Sequence, residues 1–351
     1  MISTRFPSDR LSIDGCLDLE QATRGVTPYR LPRGARQQIA DPLFAFDASA
    51  TAGVRVRFRS RASTLSLRFG CTLLQLDDMR MSGAVDLVVD GQFIARSRIA
   101  GGGTIRLENG AGSAIAGDDV VVSFDGLRAE AKEIELWLPH TASCTLIQIH
   151  SDAPIEQASP DSRPTWLHYG SSISHCLESP GPTDTWPARA AAGAGRRGVN
   201  LGFAGRALLD TVVAESIRDV ATDYISLKIG INLADTDFRE RALAPRLGRF
   251  LDTIREGHPA TPLLVVSAIS CPRLERQAGP GALTLERSRE ILEDTVGRRA
   301  ITDKHIAYLD GRALLGPADI GDLPDGMHPS PEGYRRMADR FVESAPLGFS
   351  I

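Results

Sequence analysis

Residues 166–176 read WLHYGSSISHC, with Ser171, Ser172 and Ser174 following a glycine at the end of an apolar run and His168 and His175 flanking them. Further along stand Gly205 in NLGFAG, Gly230-Ile231-Asn232, and, near the C-terminus, Asp325 and His328 in DGMHPSPEGY. Acyl transfer from an ester asks for these residue types. It needs a hydroxyl nucleophile, an imidazole to take its proton, a carboxylate to orient the imidazole, and donors for the oxyanion. A serine at a strand-to-helix turn is exposed, with its own N–H at the start of the helix. Glycine lets the backbone approach a substrate oxygen closely, and Asn232 adds a neutral side-chain donor. Asp325 and His328 are three residues apart, so one short loop delivers both carboxylate and base.

Such residues act only if the fold gathers them. Apolar runs at 166–169, 199–203, 223–229, 262–269 and 305–309 read as strands. They alternate with helical stretches at 184–195, 207–218, 238–256, 284–300 and 331–343. Nearly continuous apolar strands separated by helices imply a parallel sheet covered on both faces. In such a sheet the functional loops lie at the carboxyl ends of the strands, where the serine, glycine and asparagine blocks fall.

Up to about residue 150 the rhythm differs. VRVRFRS (54–60), TLSLRFG (64–70), AVDLVVDG (84–91), DVVVSFDG (119–126), KEIELWLP (132–139) and CTLIQIHS (144–151) alternate apolar and polar positions. Turn signals separate them, among them Asp90-Gly91, Asn109-Gly110 and Asp125-Gly126. This is the pattern of an antiparallel β-sandwich. Residues 152–164 carry Pro154, Pro160 and Pro164 and read as a stiff linker. The expected division is therefore 1–151 sandwich, 152–164 linker and 165–351 catalytic domain.

The length of 351 residues suits two domains, and a net charge of −4 gives no reason to expect nucleic acid or an anionic membrane as partner. No apolar run is long enough to cross a bilayer, and MISTRFPSDRLSID lacks the apolar core of a signal peptide. The five cysteines are odd in number and scattered, without a CxxC pair. They read as reduced, packed thiols of a cytoplasmic protein rather than a disulfide framework or a zinc site.

The four blocks together resemble the SGNH (GDSL-type) hydrolases. Gly170-Ser171-Ser172 resembles the Gly-Asp-Ser block, and Gly205 resembles the glycine block. Gly230-Ile231-Asn232 resembles Gly-x-Asn, and Asp325 to Pro329 resembles Asp-x-x-His-Pro. The resemblance spans roughly the C-terminal two hundred residues. It implies a flavodoxin-like three-layer α/β/α domain, preceded here by the jelly-roll-like sandwich, with no metal or cofactor. It also implies Ser172 as nucleophile, His328 as general base and acid, and Asp325 as its orienting partner. The oxyanion hole would be the N–H groups of Ser172 and Gly205 with the Asn232 side chain. One departure stands out: Ser171 fills the place of the family's usual aspartate, which bears on the hydrogen bonds that hold the turn.

Other residues near these blocks have plainer readings. Ser171 and Ser174 suit a turn and a first helical turn, His168 suits packing or a polar contact, His175 a surface position, and Cys176 a packed thiol. Trp186, and Leu233 with its neighbours Ala234 and Asp235, are expected around the acyl pocket, although Trp186 would serve equally in helix-to-sheet packing. The Gly/Pro-rich loop 270–284 offers Arg273 and Glu275 to a substrate or to solvent. GAGRRG (193–198) follows a helix and precedes a strand, the reverse of a dinucleotide site, so it ends a helix. GSSIS lacks the final glycine of the α/β-hydrolase elbow.

The expected function is a serine esterase acting on small acyl groups, such as acetyl on a carbohydrate or small-molecule alcohol. The alternatives are an acyltransferase using the same triad and a non-catalytic carbohydrate-binding protein. No cofactor is expected, and the sequence leaves the oligomeric state open.

Overall fold

The computed structural model describes residues 1–76, 79–108 and 111–344, so the Asn109-Gly110 turn lies outside the described residues. The chain divides into two units, Met1–Ser162 with Pro180–Thr183, and Arg163–Ser179 with Asp184–Ile351.

In the first unit, nine strands form one sheet along the path Ala111–Ile115, Gly103–Glu108, Leu65–Leu76, Ala142–Ser151, Gly25–Tyr29, Asp18–Ala22, with three more strands attached. Six form the other, whose path is Ile155–Glu156, Arg55–Ser60, Lys132–Trp137, Ala84–Val89, Gln92–Arg98. Pairing is antiparallel except between Gly103–Glu108 and Leu65–Leu76. Alternation in the sequence becomes alternation of burial. Val56 and Phe58 from one sheet and Leu65, Leu67 and Phe69 from the other share one core. The segment expected as a linker is partly built into this unit. Ile155–Glu156 pairs with Arg55–Ser60, and the Ser159 hydroxyl donates to Glu133 at 2.6 Å. Pro180–Thr183 also belongs here: wholly buried Asp86 accepts from the Thr183 N–H and hydroxyl at 3.0 and 2.6 Å and pairs with Arg96.

The second unit holds five parallel strands, β1 (Thr165–Gly170), β2 (Arg197–Gly202), β3 (Tyr224–Lys228), β4 (Leu263–Val266) and β5 (Ile306–Leu309). Their spatial order is β2-β1-β3-β4-β5, the flavodoxin-like order. Among the described residues seven α-helices connect and flank them: α1 (Ser172–His175), α2 (Trp186–Gly193), α3 (Thr211–Arg218), α4 (Ile231–Ala234), α5 (Glu240–Gly257), α6 (Leu285–Arg299) and α7 (Pro331–Ser344). Residues three apart on a strand face opposite ways, which defines the layers. Trp166 stacks on Phe341 of α7 at 5.0 Å, whereas Tyr169 stacks on Phe250 of α5 at 5.4 Å. The strand order reverses at β1, so a crevice is expected beyond the carboxyl ends of β1 and β3. Ser172 and Asn232 follow those two ends.

Candidate active site

Strand β1 stops at Gly170 because the chain must turn sharply into α1. A side chain at Gly170 would sit 2.2 Å from Ser174 Oγ, so only glycine lets α1 fold back onto the strand end. Ser171 is the N-cap of α1, in extended conformation, and its hydroxyl accepts from the Ile173 N–H at 3.3 Å. Serine is a favoured N-cap residue, so the substitution for aspartate keeps a side-chain acceptor at the turn. Ser172 is the first residue of α1, and Cys176 closes it in the left-handed conformation, φ 63°.

The Ser172 hydroxyl lies 2.9 Å from Nε2 of His328, and Nδ1 of His328 lies 2.7 Å from Oδ2 of Asp325. Residues 156 apart in sequence thus form one hydrogen-bonded chain. Oδ1 of Asp325 accepts from the backbone N–H groups of Met327 and His328 at 2.8 and 2.7 Å. Partial burial raises the Asp325 pKa, but the His328 ring and these two N–H groups outweigh it and hold the carboxyl down at about 2. Asp325 is therefore an anion near neutral pH. An anion there keeps the ring proton on Nδ1 and leaves the Nε2 lone pair free for the serine hydroxyl.

The glycine and asparagine blocks are tied to each other. Gly205 has φ 71°, a conformation that favours glycine, and a side chain there would meet nothing within 4 Å. Backbone conformation, not crowding, selects glycine at this position. Two residues on, the Ala207 N–H donates to Oδ1 of Asn232 at 3.1 Å. That contact fixes the amide of the buried Asn232 and leaves its Nδ2 as the donor end.

Beneath α1 lies a polar layer that sequence reasoning missed. His168 is wholly buried, with Nδ1 at 2.7 Å from the Ser226 hydroxyl and Nε2 at 2.8 Å from the Ser174 hydroxyl. Trp166 Nε1 also donates to Ser226, at 2.8 Å, and Asn200 Nδ2 donates to the Ser174 carbonyl at 2.8 Å. Burial, helped by nearby Lys228, pushes the His168 pKa down to about 3. Lys228 is itself buried, and burial brings its pKa down to about 7. The alternation of β1 and β3 places these side chains on one face of the sheet, a signal the sequence did carry.

Several expectations need correction. Trp186 is no pocket wall: it is fully buried, 4.7 Å ring to ring from His168 and 5.3 Å from Phe341, as part of the core. Leu233 is likewise fully buried and presents no surface to a substrate. His175 is buried rather than on the surface. Glu275 binds Arg289 through both oxygens at 2.7 and 2.9 Å and accepts from the Cys271 N–H, so it anchors its loop. Arg273 pairs with Asp235 at 2.9 Å. Cys176 is a buried thiol whose pKa burial raises well above the ordinary value. Among the described residues no group of three His, Cys, Asp or Glu side chains is arranged to hold a metal ion, and no helix is long and apolar enough to cross a membrane.

An α/β/α unit with a serine–histidine–aspartate chain at the carboxyl edge of its sheet is the layout of a serine hydrolase. Residues 168–336 match the GDSL-like Lipase/Acylhydrolase family. Solved structures extend the likeness to both units. A salicylyl-acyltransferase from a tetracycline biosynthetic pathway is 26% identical, with a TM-score of 0.85 over 97% of this chain and 96% of that one. A protein from Bacteroides ovatus assigned to the GDSL-like lipases is 22% identical, with a TM-score of 0.77 over 98% and 97%. An acetyl xylan esterase from the rumen bacterium Butyrivibrio proteoclasticus shares the fold at 12% identity, with a TM-score of 0.62 over 98% of each chain. Comparison with curated proteins finds no significant match.

Proposed function

We propose that the protein is a serine esterase that cleaves small acyl esters, such as acetyl on a carbohydrate or another small-molecule alcohol, through an acyl-enzyme on Ser172. The observation that carries this reading is the hydrogen-bonded chain from the Ser172 hydroxyl through His328 to Asp325. As Ser172 Oγ bonds to the ester carbonyl carbon, its proton passes to His328 Nε2. The oxyanion that forms is met by the N–H groups of Ser172 and Gly205 and by Asn232 Nδ2. The imidazolium then gives its proton to the alcohol oxygen as the C–O bond breaks. Water repeats the sequence in reverse, giving its own proton to Nε2, releasing the acid and restoring Ser172. Asp325, ionised throughout, stabilises the imidazolium without taking its proton. All five cysteines are free, which fits a reducing compartment such as the cytoplasm.

Transfer to an alcohol acceptor is the second reading, favoured by the 26% identity over nearly the whole length to an acyltransferase. The two differ only in whether water or an alcohol reaches the acyl-enzyme. Hydrolysis of p-nitrophenyl acetate tests the shared chemistry. Wild type should turn it over, and Ser172→Ala should be inactive. Adding alcohol acceptors and measuring the ratio of new ester to free acid then separates the readings. Wild-type turnover by Ser172→Ala would overturn both.

A further inference from the structure

Glu178 lies in the segment that follows α1, and none of the roles in acyl transfer described above calls for it. Its Oε1 is 3.8 Å from Nδ1 of His328, the same atom that Asp325 holds at 2.7 Å. Its other oxygen, Oε2, accepts from the Tyr334 hydroxyl at 2.6 Å. Tyr334 is a fully buried residue of α7, so the carboxylate is moored on a rigid element while its free oxygen faces the imidazole. The spacing is too long for a hydrogen bond but well within the range at which a carboxylate stabilises a cation. His328 is thus faced by Asp325 from its own loop, by Glu178 from beyond α1, and by the neutral Ser172 hydroxyl. The Tyr334 hydroxyl stands one step behind Glu178. The Cys271 thiol reaches the same loop from beyond β4, donating to the Gly326 carbonyl at 3.3 Å.

We propose that Glu178 is a positioning residue, a second carboxylate moored by Tyr334 that favours the His328 imidazolium and accepts the Nδ1 proton in hydrogen bonding when Asp325 is lost. This rests on Ser172 and His328 acting as nucleophile and base. An orienting acceptor on Nδ1 fixes both the tautomer and the ring plane, which is why its removal is so costly in serine hydrolases. A carboxylate one ångström beyond contact distance supplies the field at once, and the hydrogen bond after a small side-chain movement.

The test is kinetics on p-nitrophenyl acetate across pH with Glu178→Gln, Asp325→Ala, their combination, and Tyr334→Phe, each with its thermal midpoint. Glutamine keeps an acceptor for Tyr334 while removing the charge and the second acceptor oxygen, which faces His328. Glu178→Gln should move the rising limb of the kcat/KM profile to lower pH by about half a unit and reduce plateau kcat about threefold, with KM unchanged. In the Asp325→Ala background the same change should cost at least about tenfold, because the reserve acceptor goes with it. Tyr334→Phe retains the charge but frees the carboxylate, so it should also deplete the residual activity of Asp325→Ala. A Glu178→Gln enzyme with an unmoved pH profile and equal effects in both backgrounds would overturn the proposal. So would a residual activity of Asp325→Ala that neither Glu178→Gln nor Tyr334→Phe touches. An active Ser172→Ala control would instead overturn the triad itself, so the two failures are distinguishable.

Discussion

Two histidines in the second unit each sit within 2.9 Å of a serine hydroxyl, His168 against Ser174 and His328 against Ser172. Distance alone would make either pair a candidate for nucleophile and base. What separates them is the far side of each ring. His168 meets a second hydroxyl, Ser226, inside a wholly buried layer, and burial keeps it neutral by lowering its pKa to about 3. His328 meets an ionised carboxylate, and its side chain remains 23% exposed. An imidazole can take a proton from serine only where the resulting cation is stabilised, so the surroundings of the second pair, and not of the first, suit the proposed nucleophile and base. The two pairs are stacked within one turn of chain: Ser172 and Ser174 point from the same short helix to opposite partners.

Serine substitutions should break the comparison most sharply. Ser172→Ala is expected to lower kcat on p-nitrophenyl acetate by at least about 10³-fold, while Ser174→Ala stays within a few-fold of wild type. Comparable losses in both variants would mean that the buried pair takes part in the reaction. Next in size is the proposed oxyanion donor: Asn232→Ala should cost about 10²–10³ in kcat with little change in KM.

The buried pair should reveal itself in stability instead. His168→Gln leaves at least one of the Ser174 and Ser226 hydroxyls without its partner. It should destabilise the protein by about 1–3 kcal/mol in denaturant titration while leaving the pH–rate profile in place. pH sharpens the point further. A folded-state pKa of about 3 lies below the ordinary histidine value of 6.5, so protons bind more tightly to the unfolded chain. The contribution of His168 is therefore present above about pH 6.5 and is lost progressively as pH falls towards 3. The thermal midpoint of wild type should fall across that window, and His168→Gln should show a shallower slope. Asp325, depressed to about 2 from 3.8, acts in a lower window, its contribution present above about pH 4 and lost as pH falls towards 2.

Much of this was legible in the sequence, for reasons that also explain the gaps. The five strands of the second unit fall within two residues of the apolar runs at their starts and within three at their ends, because a strand buried on both faces has to be a short apolar run. The helix α4 was invisible and α1 was legible only as a helical turn after the serines: four residues carry no helical period, yet they hold Ser172 and Asn232. These two residues stand out through residue type and order instead. Trp186 misled because a tryptophan beside a nucleophile reads as a pocket wall, and only Trp166, His168 and Phe341 decide that it points inward. Glu178 gave no signal at all, since a single carboxylate in a polar segment becomes meaningful only when Tyr334 and His328 arrive from 156 and 150 positions away. In the first unit the six alternating segments are strands. The early residues were opaque, with strands such as Gly25–Tyr29 interrupted by Pro28 and a helix, Pro42–Ser49, announced only by its Asp41 cap.

The central claim is that Ser172, among three neighbouring serines, is the nucleophile. Labelling with a fluorophosphonate followed by peptide mapping tests it directly. The adduct should form on Ser172 in wild type, persist in Ser171→Ala and Ser174→Ala, and vanish in Ser172→Ala. An adduct mapped to Ser171 or Ser174, or undiminished labelling of Ser172→Ala, would contradict it.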